Sequence, residues 1–121
     1  MVKAKLISYG ARLTEFHVPD RHGKTADIVL GFDKVEDYVA TNTFFGATCG
    51  RYGNRIRNGA FNLNGALVNV GCNEGASYLH GGHKGFDRKI WQTTADKVGG
   101  TRIRTCPRPS VAYGRKFLHA S

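Results

Sequence analysis

Asn54, Arg55 and His80 are the side chains best placed by type and spacing to do chemistry in this chain of 121 residues. Asn54 and Arg55 are adjacent within Gly50-Arg51-Tyr52-Gly53-Asn54-Arg55-Ile56-Arg57-Asn58-Gly59. An arginine supplies a rigid fork of donors, and an asparagine supplies both a donor and an acceptor. His80 sits in Tyr78-Leu79-His80-Gly81-Gly82-His83, where flanking glycines let backbone and ligand approach closely. Imidazole can also donate or accept a proton near neutral pH. Together these groups suit a neutral polyhydroxylated ligand, with aromatic faces for its C–H surfaces.

Each residue also has a plainer reading. His80 can be a turn cap, and Asn54-Arg55 a solvated turn. Arg51, Arg55 and Arg57 beside Tyr52 could form a basic patch for single-stranded nucleic acid. A regular strand sends neighbouring side chains to opposite faces, so joint use of Asn54 and Arg55 requires a bulge or turn, which Gly53 permits. Phe86, Trp91 and Tyr52 read as core or pocket wall. Asp87, after Gly85-Phe86, reads as a turn-capping residue. His80 and His83 make half of a metal site, but no Asp, Glu or Cys stands nearby at ligand spacing, so no metal is expected.

The elements that must position these residues read as mostly β. Gly, Val, Ile, Phe, Tyr and Thr are abundant, favouring strands joined by tight turns. Strands are expected at Ala4–Tyr9, Leu13–Val18, Asp27–Leu30 and Ile90–Thr94. Pro19-Asp20-Arg21-His22-Gly23 is a turn in which Pro presets φ and Gly takes the left-handed position. Asn64-Gly65 between Ala60–Leu63 and Ala66–Val70 is the pattern of a two-residue type I′ hairpin. Val35–Ala40 fits one helical turn capped by Asp33. Phe44–Cys49 is an apolar run closed by Gly50.

The formal charge of +9 raises the question of nucleic acid, and its distribution answers it. Residues 1–98 hold 13 Lys and Arg against 9 Asp and Glu, whereas residues 99–121 hold five basic residues and no acid. The excess is local to a tail, and no nucleic-acid partner is expected. Pro107 and Pro109 flank Arg108 there, and proline cannot donate to a ladder. Residues 99–121 are therefore expected to form a disordered basic tail. No apolar run of about 18 residues exists to span a membrane, and the basic N-terminus has no apolar stretch behind it as a secretory signal would. Cys49, Cys72 and Cys106 show no paired spacing, which suits reduced thiols and a cytoplasmic location.

The residues above resemble, in order, the N-terminal part of the galactose mutarotase (aldose 1-epimerase) family. The matching segments are Tyr9-Gly10-Ala11, Val18-Pro19-Asp20-Arg21-His22-Gly23, Val29-Leu30-Gly31-Phe32-Asp33, Phe45-Gly46-Ala47 with Gly50 to Ile56, Leu79-His80-Gly81-Gly82, and Gly85-Phe86-Asp87 with Trp91. The resemblance implies an all-β, galactose-mutarotase-like β-sandwich, of which residues 1–98 are the N-terminal portion. It implies interconversion of the α and β anomers of aldohexoses such as galactose and glucose, with no cofactor. It also implies that Asn54 and Arg55 bind sugar hydroxyls, and that His80 contacts the sugar near its ring oxygen and supports catalysis.

Anomer exchange needs a base for the anomeric hydroxyl proton and an acid for the ring oxygen. The family's principal acid is a second histidine in an Asn-His-Ser-Tyr-Phe-Asn-like segment, and its base is a distant glutamate. Neither segment occurs in this chain, and Glu15, Glu36 and Glu74 do not match the base's context. The expectation is a fragment inactive alone, with a noncatalytic sugar-binding fragment as the alternative. Divergence near Val98 is expected to mark non-homologous sequence, such as a frame-shifted end, which reading the encoding DNA in its other frames would test.

Overall fold

The computed structural model describes residues 2–97, 101–107 and 118–120. The chain is mostly strand. β1 (Lys3–Ile7), β2 (Arg12–Pro19) and β3 (Thr25–Asp27) form an antiparallel sheet, with β10 (Leu118–Ala120) on the outer edge of β1. β4 (Arg55–Arg57) pairs with β7 (Ser77–Leu79), β5 (Ala60–Leu63) with β6 (Ala66–Asn69), and β8 (Trp91–Lys97) with β9 (Thr101–Pro107). One short helix, α1 (Val35–Ala40), and two single 3₁₀ turns at Gly82–Lys84 and Phe86–Arg88 complete the described elements.

Local chemistry explains most boundaries. Asn64 and Gly65 both take positive φ, 51° and 83°, so the β5–β6 turn is the type I′ hairpin that its sequence demands. In the turn between β2 and β3, Asp20 accepts the N–H groups of His22 and Lys24 at 2.8 and 2.9 Å, while Gly23 takes φ 81°. The β1–β2 register shifts between Lys5 and Leu6, which face Glu15 and Leu13. Thr14 is the extra residue, and its hydroxyl donates to the Lys5 carbonyl at 3.2 Å. Arg12 and Thr14, two residues apart on β2, are both buried.

Two expectations need correction. α1 is capped by Lys34 without a side-chain hydrogen bond, so Asp33 is not its N-cap. Ile28–Leu30 is not strand: Asp27 accepts the N–H groups of Phe16 and Val29, ending the ladder at its own position. The segment from 101 to 107 pairs with β8 in continuous register, from Lys97 opposite Thr101 to Trp91 opposite Pro107. The rest of the expected tail, residues 99–100, 108–117 and 121, lies outside the described residues.

The buried centre is small and partly polar: Ile7, Ala11, Tyr38, Leu79 and Trp91, together with Arg12, Thr14 and Asp87. Trp91 is fixed from both sides, its backbone N–H to Ser8 at 2.8 Å and its indole N–H to the Phe86 carbonyl at 3.0 Å. Gly10 N–H to the Lys89 carbonyl, 2.8 Å, extends the same seam. The β1–β2 connection is thus joined to the segment that follows the glycine-flanked histidine.

Candidate functional site

The β4–β7 ladder brings the predicted residues together. Arg55 faces Leu79 and Arg57 faces Ser77, so Asn54, just before β4, meets His80, just after β7. The ladder closes on them twice: His80 N–H donates to the Asn54 carbonyl at 3.1 Å, and Asn54 N–H donates to His80 Nδ1 at 2.9 Å. Residues 26 apart in sequence are joined by antiparallel register. Both take left-handed backbone, φ 65° at Asn54 and 51° at His80, which is uncommon outside glycine but better tolerated by Asn and His than by most residues. The turn that Gly53 was expected to permit is made by Asn54 itself.

That second hydrogen bond has a chemical consequence. With Nδ1 accepting a backbone N–H, the neutral ring carries its proton on Nε2 and is a hydrogen-bond donor there. Phe44 lies against the ring, with centroids 4.7 Å apart and planes tilted by 59°. Phe44 is itself placed by the interior, because the buried Arg12 donates from Nη1 to the carbonyls of Thr43 and Phe45 at 3.0 and 3.1 Å. The rings of Tyr9 and Tyr38 flank the Arg12 guanidinium at 5.5 and 5.4 Å.

His80 and Arg55 line one open cleft of about 620 Å³, together with Asn42, Phe44, Asn73, Glu74 and Arg88. That volume lies within the range typical of small-molecule sites, roughly 300–1,000 Å³. Asn54 reaches the site through its backbone, and its exposed side chain is not part of this lining. Tyr52 is exposed and Trp91 is core, while Phe86 packs edge-on against Trp91. Neither of the open roles for Tyr52, core or cleft wall, is realised.

Glu74 is the residue that sequence reasoning passed over. Its carboxylate accepts from Arg55 Nε and Nη2, both at 2.7 Å, in a two-bond fork. The hydrogen bond from Arg55 holds the Glu74 carboxyl below its ordinary range, and Glu74 raises Arg55 in return. Asn73 clamps the same loop, donating to the Leu79 carbonyl at 3.0 Å and accepting the Leu79 N–H at 2.6 Å. Arg88 donates to Asn42 at 2.6 Å and lies 3.7 Å from Asp87. The adjacency of Asn73 and Glu74 was the available signal, but the partner of each lies too far along the chain for spacing to reveal.

Asp87, expected as a turn-capping residue, is buried, and its Oδ1 has no hydrogen-bond partner. Desolvation pushes its carboxyl above the ordinary range, opposed by the charges of Arg88 and Arg12. Cys49 and Cys72 are free thiols. Among the described residues no helix is long and apolar enough to cross a membrane.

A protein-family model described as aldose 1-epimerase matches residues 1–114, which extends past the boundary expected at 98. The chain is 43% identical over 112 residues to a galactose mutarotase of Bos taurus, covering 93% of this chain and 33% of that protein. It is 46% identical over 100 residues to a probable aldose 1-epimerase of Arthroderma benhamiae, covering 78% of this chain and 23% of the relative. Among solved structures, an aldose epimerase homologue from C. elegans superposes with a TM-score of 0.71 at 34% identity, over 79% of this chain and 30% of that one. A galactose 1-epimerase from Lactobacillus acidophilus gives a TM-score of 0.70 at 26% identity, over 86% of this chain and 30% of that one. The chain thus spans about a third or less of the length of the relatives it matches.

Proposed function

The chain belongs to the aldose 1-epimerase family, and from that premise we propose that it carries the hydroxyl-recognising part of an aldohexose site, for sugars such as galactose and glucose. The observation that carries this reading is the Asn54 N–H bond to His80 Nδ1, which makes His80 an Nε2–H donor beside Arg55 in one cleft. A donor of that kind suits a sugar ring oxygen, and Arg55 suits vicinal hydroxyls. The Asn54 amide is assigned to a further hydroxyl at the rim. Phe44 offers its face to sugar C–H groups.

By themselves the 121 residues bind without turning the sugar over. Ring opening needs a base whose pKa lies near the working pH. Glu74 is the carboxylate in this cleft, and Arg55 holds it ionised and weakly basic. The free thiols of Cys49 and Cys72 suit a reducing compartment, and we assign the chain to the cytoplasm.

Polarimetry on freshly dissolved α-D-galactose tests the absence of turnover, and calorimetry tests binding. The expected outcome is rotation that relaxes no faster than in buffer, with saturable heat that His80→Ala abolishes. Catalytic acceleration removed by His80→Ala would refute the inactivity. Absence of saturable binding would refute the site.

A further inference from the structure

Glu74 stands outside every role the family resemblance assigns, yet it makes a two-bond contact with Arg55 in the cleft. Its backbone sits at the start of a tight turn: Glu74 N–H donates to the Ser77 carbonyl at 3.0 Å, and Ser77 N–H returns to Glu74 at 2.9 Å. Gly75 supplies the positive φ, 53°, that such a turn needs at its first central position. Ser77 opens β7, which is laddered to β4, and Arg55 opens β4. The carboxylate thus reaches from the turn before Ser77, at the Arg57 end of the two-stranded unit, to Arg55, at the end where Asn54 meets His80.

We propose that Glu74 is a positioning and specificity-determining residue, holding Arg55 by one edge of its guanidinium so that the cleft recognises neutral sugar hydroxyls in preference to phosphorylated sugars. The inference rests on the sugar-site reading above. The fork uses the Nε and Nη2 protons on one side of the guanidinium plane. Both Nη1 protons and the second Nη2 proton remain, arranged as a planar comb that two hydroxyl oxygens can accept. A free arginine in the same place, in a cleft also lined by Arg88, would instead form a strong bidentate site for phosphate. By carrying one negative charge into the lining, Glu74 offsets Arg55 and repels a phosphate dianion.

Both partners are about half exposed, with side-chain accessibilities of 53% and 46%. An exposed pair contributes little to folding stability. Glu74→Gln should therefore shift the unfolding midpoint by about 2 °C or less while changing recognition markedly. That separation distinguishes a positioning role from a structural one.

The experiment is an NMR-monitored titration of the full chain with D-galactose and, separately, with D-galactose 6-phosphate. The variants are Glu74→Gln, Glu74→Asp, Arg55→Ala and His80→Ala, and the amide spectrum reports the fold of each. The parent chain should bind galactose more tightly than its phosphate. Glu74→Gln should weaken galactose by about threefold or more and move the selectivity ratio about tenfold toward the phosphate, as expected when a charge-assisted pair is lost and a like charge removed. Glu74→Asp keeps the charge but shortens its reach, so it should lose galactose affinity while retaining discrimination against phosphate.

An unchanged ratio in Glu74→Gln, with galactose binding still weakened by Arg55→Ala and His80→Ala, overturns the role of Glu74 and leaves the sugar site standing. Galactose binding unaffected by Arg55→Ala and His80→Ala, or absent from the parent chain, overturns the site reading and this inference with it. Should Glu74→Gln lose its folded spectrum, the accessible pair is structural after all, and the proposal fails.

Discussion

Replacing Arg12 with methionine should cost this chain much of its stability, although Arg12 touches no proposed ligand. Arg12 is 1% exposed, and its guanidinium donates to two backbone carbonyls and lies between two tyrosine rings. Methionine fills a similar volume but leaves the Thr43 and Phe45 carbonyls without a donor and Asp87 without one of its compensating cations. Removing one member of a buried ionic cluster typically costs about 3–5 kcal/mol. Hydrogen bonds from a charged donor contribute about 1.5–3 kcal/mol each, so two such bonds bring the sum to the same range once the new apolar contacts of methionine are allowed for. A domain of this size has about 5–15 kcal/mol in total, so Arg12→Met should lose about a fifth or more. Urea unfolding followed by the fluorescence of Trp91, the one tryptophan, measures it directly. The same variant should shift the ring resonances of His80, because Phe44 sits between the two carbonyls that Arg12 holds. A loss below about 1 kcal/mol would refute the reasoning, since it would mean that the guanidinium is not offsetting buried groups.

Three further outcomes follow from particular residues. Gly81→Ala should destabilise by about 3 kcal/mol and weaken galactose binding, because φ there is 106° and an added Cβ would run into the Gly50 carbonyl; urea midpoints and titration check both effects. Asn54→Gly keeps the left-handed backbone and the N–H that holds His80 while deleting the amide, so folding should persist while galactose affinity drops by about threefold, the size of one neutral hydrogen bond. Wild-type affinity in Asn54→Gly would show that the amide is not a ligand. For Asp87, the folded carboxyl lies above its ordinary 3.8, so its contribution is fully present below that value and is lost as pH rises through the folded value. Asp87→Asn should therefore gain stability relative to the parent as pH climbs from 3 toward neutrality, and a difference that runs the other way in pH-dependent urea unfolding would contradict it.

What the sequence revealed divides along physical lines. Local signals were readable where one or two residues dictate backbone shape: Asn64-Gly65 made the type I′ hairpin, and Pro19 to Gly23 made the turn after β2. Arg55 and His80 stood out because few side chains carry their chemistry, and both line one cleft. Pairings across long separations were not readable. The contact of Arg12 with residues 43 and 45, and of Arg55 with Glu74, depends on register and bulge geometry that no local pattern encodes. Polar residues at buried positions carry no local signal either, since Arg12, Thr14 and Asp87 are of types that mostly stay exposed, yet all three are buried. The prolines of the basic segment argued against a strand, yet Thr101–Pro107 pairs with β8.

The most direct test of a sugar cradle built around His80 is the nitrogen NMR spectrum of its ring, recorded with and without D-galactose. Because Asn54 N–H donates to Nδ1, the neutral ring should show the Nε2–H tautomer, and its Nε2 signal should move as galactose binds. A proton on Nδ1, or a ring indifferent to saturating galactose, would contradict the cradle.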